Sequence, residues 1–581
     1  MNRGSRCGLG REHLRLLGVL VGVVSSVGSI SANEAVAVDL NDLKPLTPIL
    51  PYDVDYKLLY PLTGGPGVLE GNIPEAQRLY DTFAWQAFTA LNWPALPDGS
   101  PDLSKTIADS TAPRVWMGWR SNESVFKPDG SPPEPWVSAK QLTKKDHFLW
   151  RFSKMLNERR SPANELTPEV ELADFVQAFT GPLVDLNGKF VRYESYINKP
   201  IFDYIVSNEL YNQEGQVKFV STNGQKIQFP IGNGIGDGQD PKYGSMGIKL
   251  AWKQLGDNDI PSRFFTLKAI VVSTSFDEQG NMVKSKSEQT MGLVGMHVTA
   301  LTKSAPNWIW STFEHVDNVI ANDLETGTAM NGKPQRVHPS FNNIGNPTKP
   351  VNILPPMNAP RNAKGGFTTW DEKKTTNPVQ LTRVVPIAPA TQALNREFQA
   401  KLKELGSVFQ YYELAGAQWP VNFNIMTPPA FVGGANSAPE SILFKVPGRV
   451  VPVYVVNTTM ESYFQKGNQV AGPLEEDDRL PQGFFADKPA EQVTPDRTLI
   501  FGTESCVGCH YSAGAVVAFK HDENGELMRD PATGLKIPVY GGRGNFGSNG
   551  DSDYFWQLQL KARQKEPPVR AAQAAPAPAK P

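Results

Sequence analysis

The stretch Met291-Gly-Leu-Val-Gly-Met-His297-Val-Thr-Ala-Leu-Thr302 decides the fold, because its residues alternate in the manner of a β-strand. Successive side chains of a strand point to opposite faces of the sheet. The alternation predicts Val294, Met296, Val298 and Ala300 on one face, in the core, and Leu293, Gly295, His297 and Thr299 on the other. A glycine beside His297 also predicts a place where another segment approaches the sheet closely.

Three neighbouring segments, 248–255, 264–273 and 308–315, have the same strand character and are joined by short connections with turn residues. This arrangement is typical of an antiparallel meander. His297 and His315, with Glu314 on the last strand, could form a second site for a metal ion. The alternative is that both histidines are hydrogen-bonded residues of a partly buried sheet.

Several segments have the pattern of helices. The clearest are 73–92, which Asn72 can cap, and 391–405, which ends at Gly406. Helical spacing also marks 145–157 and 192–211, and a last helix is expected after Asp551 or Ser552. Between these, 216–230 alternates like a hairpin around Asn223-Gly224.

The second decisive stretch is Cys506-Val507-Gly508-Cys509-His510, the attachment pattern of a c-type haem. Each thiol can form a thioether to a porphyrin vinyl group, and the adjacent imidazole becomes the proximal iron ligand. A disulfide of the Cys-x-x-Cys kind does not need the histidine. A zinc site needs a second ligand pair that the sequence lacks. The motif therefore predicts one covalent haem c held by Cys506, Cys509 and His510.

The other axial ligand of the iron is open at this stage. Met460 is the first candidate, because it lies in a predicted short helix of the same region, and Met426 and His297 follow it. A methionine raises the reduction potential, a second histidine lowers it, and an open position allows ligand chemistry. His521 and Met528 lie in a polar turn expected to face solvent.

Residues 1–32 have the features of a cleaved secretory signal, with a basic start, the apolar stretch 16–27 and small residues before Ala32. Their removal takes away four arginines and one glutamate, so the net charge changes from −2 to −5. An acidic chain of this kind lacks the excess of positive charge that is typical of nucleic-acid-binding proteins. No membrane span is expected in the mature chain. Thioether attachment takes place outside the bacterial cytoplasm, so the signal and the haem motif agree on the periplasm.

The predicted fold class is α+β. The predicted parts are the signal peptide (1–32), a mixed helical and antiparallel β domain (33–385), a mainly helical cytochrome c-like haem domain (386–565) and a disordered Pro/Ala tail (566–581). The boundary near 385 follows from a long stretch rich in Asn, Pro, Gly and Lys.

The chain resembles a bacterial group of large, exported, single-haem cytochrome c family proteins. The resemblance lies in 291–297, 308–318, 417–420, 457–461, the haem motif, and Asp553 with its helix. It implies haem and electron transfer, and no particular substrate.

Three functions agree with these observations. The first is an electron carrier that serves a redox partner protein or a small-molecule electron donor or acceptor. The second is a peroxidase- or oxidase-like haem oxidoreductase whose N-terminal domain shapes an open iron site. The third is a haem-based redox sensor or binding protein. Whether the chain is an enzyme is not decided by the sequence.

Overall fold

The computed structural model describes residues 46–54, 73–136, 171–172, 175, 181–222, 226–234, 242–306, 308–321, 324–343, 345, 351–356, 370–383, 386–418, 455–464, 506, 510, 513–531, 534–541 and 552–565. Some predictions fall outside these residues. They concern the signal peptide, the helix 145–157, the Asn223-Gly224 turn, Met426, Cys509 and the tail from 566.

The strands are β1 (Arg120–Ser121), β2 (Glu171–Leu172), β3 (Arg192–Ile197), β4 (Met246–Gln254), β5 (Thr266–Phe276), β6 (Met282–Ala300), β7 (Ile309–His315), β8 (Thr326–Thr328), β9 (Pro334–Arg336), β10 (Tyr412–Gln418), β11 (Val516–Phe519) and β12 (Pro538–Tyr540). Eight of them form one sheet in the order β1-β3-β4-β6-β5-β2, with β7 beside β6 and β10 beside β7. All pairs in this sheet are antiparallel except β2 with β5. The pairs β8–β9 and β11–β12 stand apart.

Strand β6 is the centre of this sheet. Its first half pairs with β5, from Phe276↔Met282 to Thr266↔Gly292. Its second half lies between β4 and β7, and residues from Met291 to Met296 are buried. A strand with neighbours on both edges and cover on both faces reads as a continuous apolar run, which explains why this stretch was the clearest strand in the sequence.

The predicted faces of β6 are correct from Gly295 onward and wrong before it. The register against β4 shifts between Ala251↔Gly295 and Trp252↔Leu293, so Val294 is an extra residue on β6. Such a bulge reverses the facing of the residues beyond it. Leu293 therefore packs with Met296 and Val298, whereas Val294 packs in a different cluster with Met460.

The α-helices are α1 (Ile73–Leu91), α2 (Asn122–Val125), α3 (Lys199–Ser207), α4 (Gln213–Ser221), α5 (Pro389–Glu404) and α6 (Gln557–Leu560), and short 3₁₀ helices span Val115–Gly118, Pro261–Arg263, Val408–Tyr411 and Ser462–Phe464. Helices α1 and α5 confirm two sequence predictions, and Gly406 ends α5 with a φ of +70°. Among the described residues, no helix is long and apolar enough to cross a membrane.

Helices α1 and α5 pack on one face of the sheet and form the main core there. Phe88 of α1 stacks on Phe313 of β7 with ring centroids 4.2 Å apart. Trp85 stacks on Phe398 of α5 at 4.9 Å, and its indole N–H donates to Asn395 Oδ1 at 2.9 Å. These large rings cover Met296 and Val298, so the opposite face of β6 is the one left for a site.

Two predicted segments have a different structure. The first half of 192–211 is β3, because Tyr193 and Tyr196 are buried on opposite faces of a sheet covered on both sides, and this mimics helical spacing. The described residues of 216–230 do not form the predicted hairpin: 216–221 belong to α4, and 226–230 have no regular secondary structure. Asn212 caps this helix by accepting the N–H of Gly215 at 2.7 Å.

The predicted fold class is wrong. The interpretable part of the chain is mostly antiparallel β-sheet, with 27% of its residues in strands and 22% in helices, and no mainly helical C-terminal part is present in it. From residue 386 onward the described segments include α5 and the four-residue α6, but also β10, β11 and β12. Residues 38–581 form one unit by their contacts, and β10 pairs with β7 across residue 385. The division into two domains stays a prediction.

We expect Phe313→Ala to lower the free energy of unfolding by about 3–5 kcal/mol, because the ring is fully buried between α1 and the sheet. Equilibrium urea unfolding of the full chain measures the loss. Ile320→Ala is the control, since Ile320 is 75% exposed and its truncation should change the free energy by less than about 0.5 kcal/mol. Equal losses in the two variants would contradict the assigned core.

Candidate functional site

A cavity of about 380 Å³ lies on the face of the sheet opposite α1 and α5. Its floor is formed by residues of β3, β4, β6 and β7 that alternate with the core residues, among them Lys249, His297 and Trp310. Its other walls come from α2, which contributes Asn122 and Glu123, and from three later segments that contribute Val455 and Glu461, Cys506 and His510, and several residues between 554 and 563. The volume is within the range of small-molecule and cofactor pockets.

Cys506 and His510 both border this cavity, although they belong to different positions of the sequence motif. Cys506 Sγ lies 4.0 Å from the Val455 carbonyl oxygen. The His510 ring lies against Trp310 of β7, with ring centroids 4.4 Å apart and planes at 46°. Cys509 lies outside the described residues.

The orientation of His510 is set by a main-chain carbonyl. His510 Nδ1 lies 2.8 Å from the Tyr554 carbonyl oxygen, which can only accept, so Nδ1 carries the proton and Nε2 has the free lone pair. Burial lowers the pKa of His510 to about 4, so the ring is neutral at pH 7. A neutral imidazole with one nitrogen held by a carbonyl is the usual form of a histidine that binds a metal through the other nitrogen.

The Tyr554 carbonyl lies in a turn with unusual backbone angles. Asp553 and Tyr554 have φ angles of +50° and +66°, a left-handed conformation that costs residues other than glycine about 1–3 kcal/mol each. The Asp553 carboxylate anchors the turn by accepting the N–H of Phe229 at 2.8 Å. Because of this turn α6 begins only at Gln557, and no side chain caps it. The predicted last helix is therefore shorter than expected and is not capped by Ser552, and the other predicted cap, Asp551, lies outside the described residues.

Three charged or titratable side chains meet in the cavity, two from its floor and one from a wall. His297 Nε2 lies 3.2 Å from Glu461 Oε1, and Lys249 is the β4 residue directly opposite His297. Burial raises the pKa of Glu461, but His297, Lys249 and the N–H of Asn457 outweigh burial, so the net pKa is below its usual value. Glu461 is therefore ionised at neutral pH. The Lys249 ammonium also lies 5.0 Å from the Tyr193 ring centroid.

Segment 457–461 reaches His297 because β6 carries a glycine at 295. A Cβ atom on Gly295 would stand 2.5 Å from Thr459 Oγ1 and 3.2 Å from the side-chain amide of Asn457. Asn457 also donates to Thr312 Oγ1 at 2.8 Å, and Thr458 N–H donates to Glu314 Oε1 at 2.6 Å. The close approach predicted beside His297 is confirmed, and it brings Glu461 into the cavity.

The walls of the cavity contain an unusual group of buried polar atoms. Five such atoms in the described segments have no hydrogen-bond partner and belong to residues that line the cavity: Asn122 Oδ1, His297 Nε2, Trp308 Nε1, Trp310 Nε1 and Gln557 Oε1. The Glu461 contact of His297 Nε2 has the distance of an ion pair but lacks hydrogen-bond direction. Native proteins seldom leave buried polar atoms unpaired, so these five atoms are candidates to bind water or a polar ligand.

The structure does not bring the first sequence candidate for an axial ligand to the cavity. Met460 is fully buried in a cluster with Val294 and Tyr463 and is not part of the cavity lining. His521 and Met528 are exposed, as expected. Of the candidates in the described segments, His297 alone lines the cavity.

The structure does not bring His297, His315 and Glu314 together as a metal site, which was one of the two interpretations of these residues. His315 is buried, donates from Nε2 to the Arg263 carbonyl oxygen at 2.9 Å and accepts the Asp317 N–H at 3.1 Å. Glu314 binds Arg383 and Thr458. No group of three metal-ligating side chains is found within the described ranges. The alternative interpretation, a hydrogen-bonded histidine, is correct for His315.

Sequence reasoning missed Tyr554, Lys249 and Glu461 as members of the site. The contribution of Tyr554 is a backbone carbonyl, which no residue pattern reveals. Lys249 could have been found, because strand pairing puts it opposite His297 once the register is known. Comparison with family models, curated proteins and solved structures finds no match for this chain.

We expect Gly295→Ala to destabilise the full chain by about 1–3 kcal/mol, because the new methyl group must displace Thr459. Thermal and urea unfolding measure the change. Gly118→Ala is the matched control, since the nearest atom to its added Cβ is 3.4 Å away. A Gly295→Ala chain as stable as the Gly118→Ala chain would rule out the close approach.

Asp553→Ala should cost about 1–3 kcal/mol of folding free energy, since it leaves the Phe229 N–H unpaired and puts alanine in a left-handed conformation. Asp553→Asn is the control, because asparagine tolerates that conformation and keeps an acceptor oxygen. The free energies come from denaturant unfolding of both variants. The turn is not anchored as described if the asparagine variant loses as much stability as the alanine variant.

Proposed function

We propose that the chain is an exported c-type cytochrome that binds one covalent haem and transfers single electrons. The observation that carries the proposal is that Cys506 and His510 border one cavity while the Tyr554 carbonyl leaves His510 Nε2 free to bind a metal. Cys506 and Cys509 would hold the porphyrin through thioethers, and His510 would be the proximal ligand.

The chemical character of the residues that line the cavity suits a porphyrin. Aromatic side chains from Trp308, Trp310 and Phe555 offer apolar cover for its ring. The unpaired indole N–H groups of the two tryptophans and the cationic side chains of Lys561 and Arg563 offer partners for its carboxylates. The group, when bound, supplies a one-electron centre. The chain orients His510 through the Tyr554 carbonyl. The two tryptophans would keep water from the porphyrin ring.

The proposed place of action is the periplasm, supported by the signal-like residues 1–32 and by the site of thioether attachment. The partner would be a redox protein or a small-molecule electron donor or acceptor. The acidic net charge gives no support to a nucleic-acid partner. The resemblance to single-haem cytochrome c family proteins agrees with this proposal and adds no substrate.

One observation favours a second candidate, a haem oxidoreductase with an open iron. His297 and Glu461 stand in the wall of the same cavity, and an imidazole beside a carboxylate can accept and return protons. The two functions differ in the coordination of the iron. A carrier has two axial ligands from the protein, whereas an oxidoreductase keeps one position open.

The test is production of the full chain in a bacterial host that matures c-type cytochromes. We expect one haem mass on the peptide with Cys506 and Cys509, and a redox titration with a one-electron slope. Cys506→Ser/Cys509→Ser should abolish the attachment because both thioethers are lost. Cys7→Ser is the control, since Cys7 lies in the segment predicted to be cleaved. A wild-type chain without haem mass contradicts the proposal, and a high-spin ferric spectrum that responds to cyanide favours the oxidoreductase.

A further inference from the structure

We infer that His297 is the second axial ligand of the haem iron, bound through Nε2. The inference rests on the proposed function, because it assigns the coordination position that faces away from His510. It replaces Met460 in that role and makes the site one with two histidine ligands. A second histidine closes the iron to exogenous ligands and lowers its reduction potential relative to a methionine.

The position of His297 is the first argument. It projects from the same face of the sheet as Trp310, whose ring lies 4.4 Å from that of His510. The two histidines therefore border one cavity from different segments, His510 from the haem motif and His297 from the floor. Strand β6 has neighbours on both edges at this point, so the backbone of His297 is held rigidly.

The chemistry of the cavity lining is the second argument. No methionine is among the described residues of the lining, so a thioether ligand is not available from them. Lys249 also lines the cavity, but an ammonium group is a hydrogen-bond donor only and has no lone pair for a metal. A neutral imidazole has such a lone pair on a ring nitrogen and is the commonest side-chain metal ligand. His297 is thus the best iron ligand that the described walls present.

The unpaired nitrogen is the third argument. His297 Nε2 is covered by protein and has no hydrogen bond, since the Glu461 contact at 3.2 Å is poorly directed. Coordination would replace that contact with a bond to iron. Glu461 would keep its other partners, the Asn457 N–H at 2.8 Å and the charge of Lys249. Turning the imidazole from Glu461 Oε1 to the iron therefore leaves the hydrogen bond at Glu461 Oε2 in place.

The test uses the full, haem-loaded chain and reads the spin state of the iron. We expect the ferric wild type to be low-spin and six-coordinate in its absorption and electron paramagnetic resonance spectra. His297→Ala should convert most of the iron to high-spin, and added imidazole should restore the low-spin spectrum. His297→Met should stay low-spin, show the near-infrared band of thioether-to-iron coordination and have a raised midpoint potential, a result that a merely structural role would not give.

Two control variants complete the design. Met460→Ala and Met528→Ala, neither of which changes a residue of the cavity lining, should keep the wild-type spin state, provided that circular dichroism and haem stoichiometry are unchanged. The assignment is overturned if His297→Ala remains low-spin with full haem, or if Met460→Ala or Met528→Ala becomes high-spin. Those outcomes differ from failure of the proposed function, in which the wild-type chain carries no haem mass at all. His297→Met covers the case in which the alanine variant does not fold.

Discussion

The structure depends on strand β6, whose second half has a neighbouring strand on each edge. Over its second half β6 pairs with β4 and β7, and its two faces are divided between the aromatic core under α1 and α5 and the cavity that His510 borders. A side chain on such a strand cannot drift, because backbone hydrogen bonds hold both edges and close-packed rings hold one face. This rigid position carries the imidazole of His297 and not a further apolar side chain.

Close approach between segments distant in sequence is the second constraint. Gly295 lets residues 457–461 lie on the strand, and Glu314, Thr312 and Asn457 bind that segment through hydrogen bonds. His510, in turn, contacts Trp310 of β7 and the Tyr554 carbonyl of the turn before α6. Parts of the chain hundreds of residues apart therefore share one site, which explains why so large a chain surrounds a single short motif.

The sequence predicted local features well and long-range ones poorly. The central strands, α1, α5 and the helix stop at Gly406 followed from period and from backbone preference, which are local properties. The bulge at Val294 was invisible because it exists only against β4. Tyr193 and Tyr196 imitated a helix because both faces of β3 are buried. The mainly helical C-terminal part was wrong because it followed from the motif rather than from the pattern of the residues there.

The candidate site shows the same division. Cys506, Cys509 and His510 could be named from five consecutive residues. Nearness in sequence favours Met460 as the axial candidate, but in the structure Met460 lies in a core cluster with Val294, whereas His297 lines the cavity. Only the pairing of strands distinguishes a methionine that fills a core from a histidine that faces a cavity.

The partner of the His510 ring is an atom of the main chain, and this has an evolutionary consequence. Any amino acid at position 554 has the same main-chain carbonyl oxygen. Most point mutations there would therefore leave the hydrogen bond to the imidazole, and the electron density on it, unchanged. Only a mutation that changes the backbone conformation would alter the hydrogen bond to His510. Natural selection would therefore constrain the conformation of residues 553 and 554 more than their chemical identity.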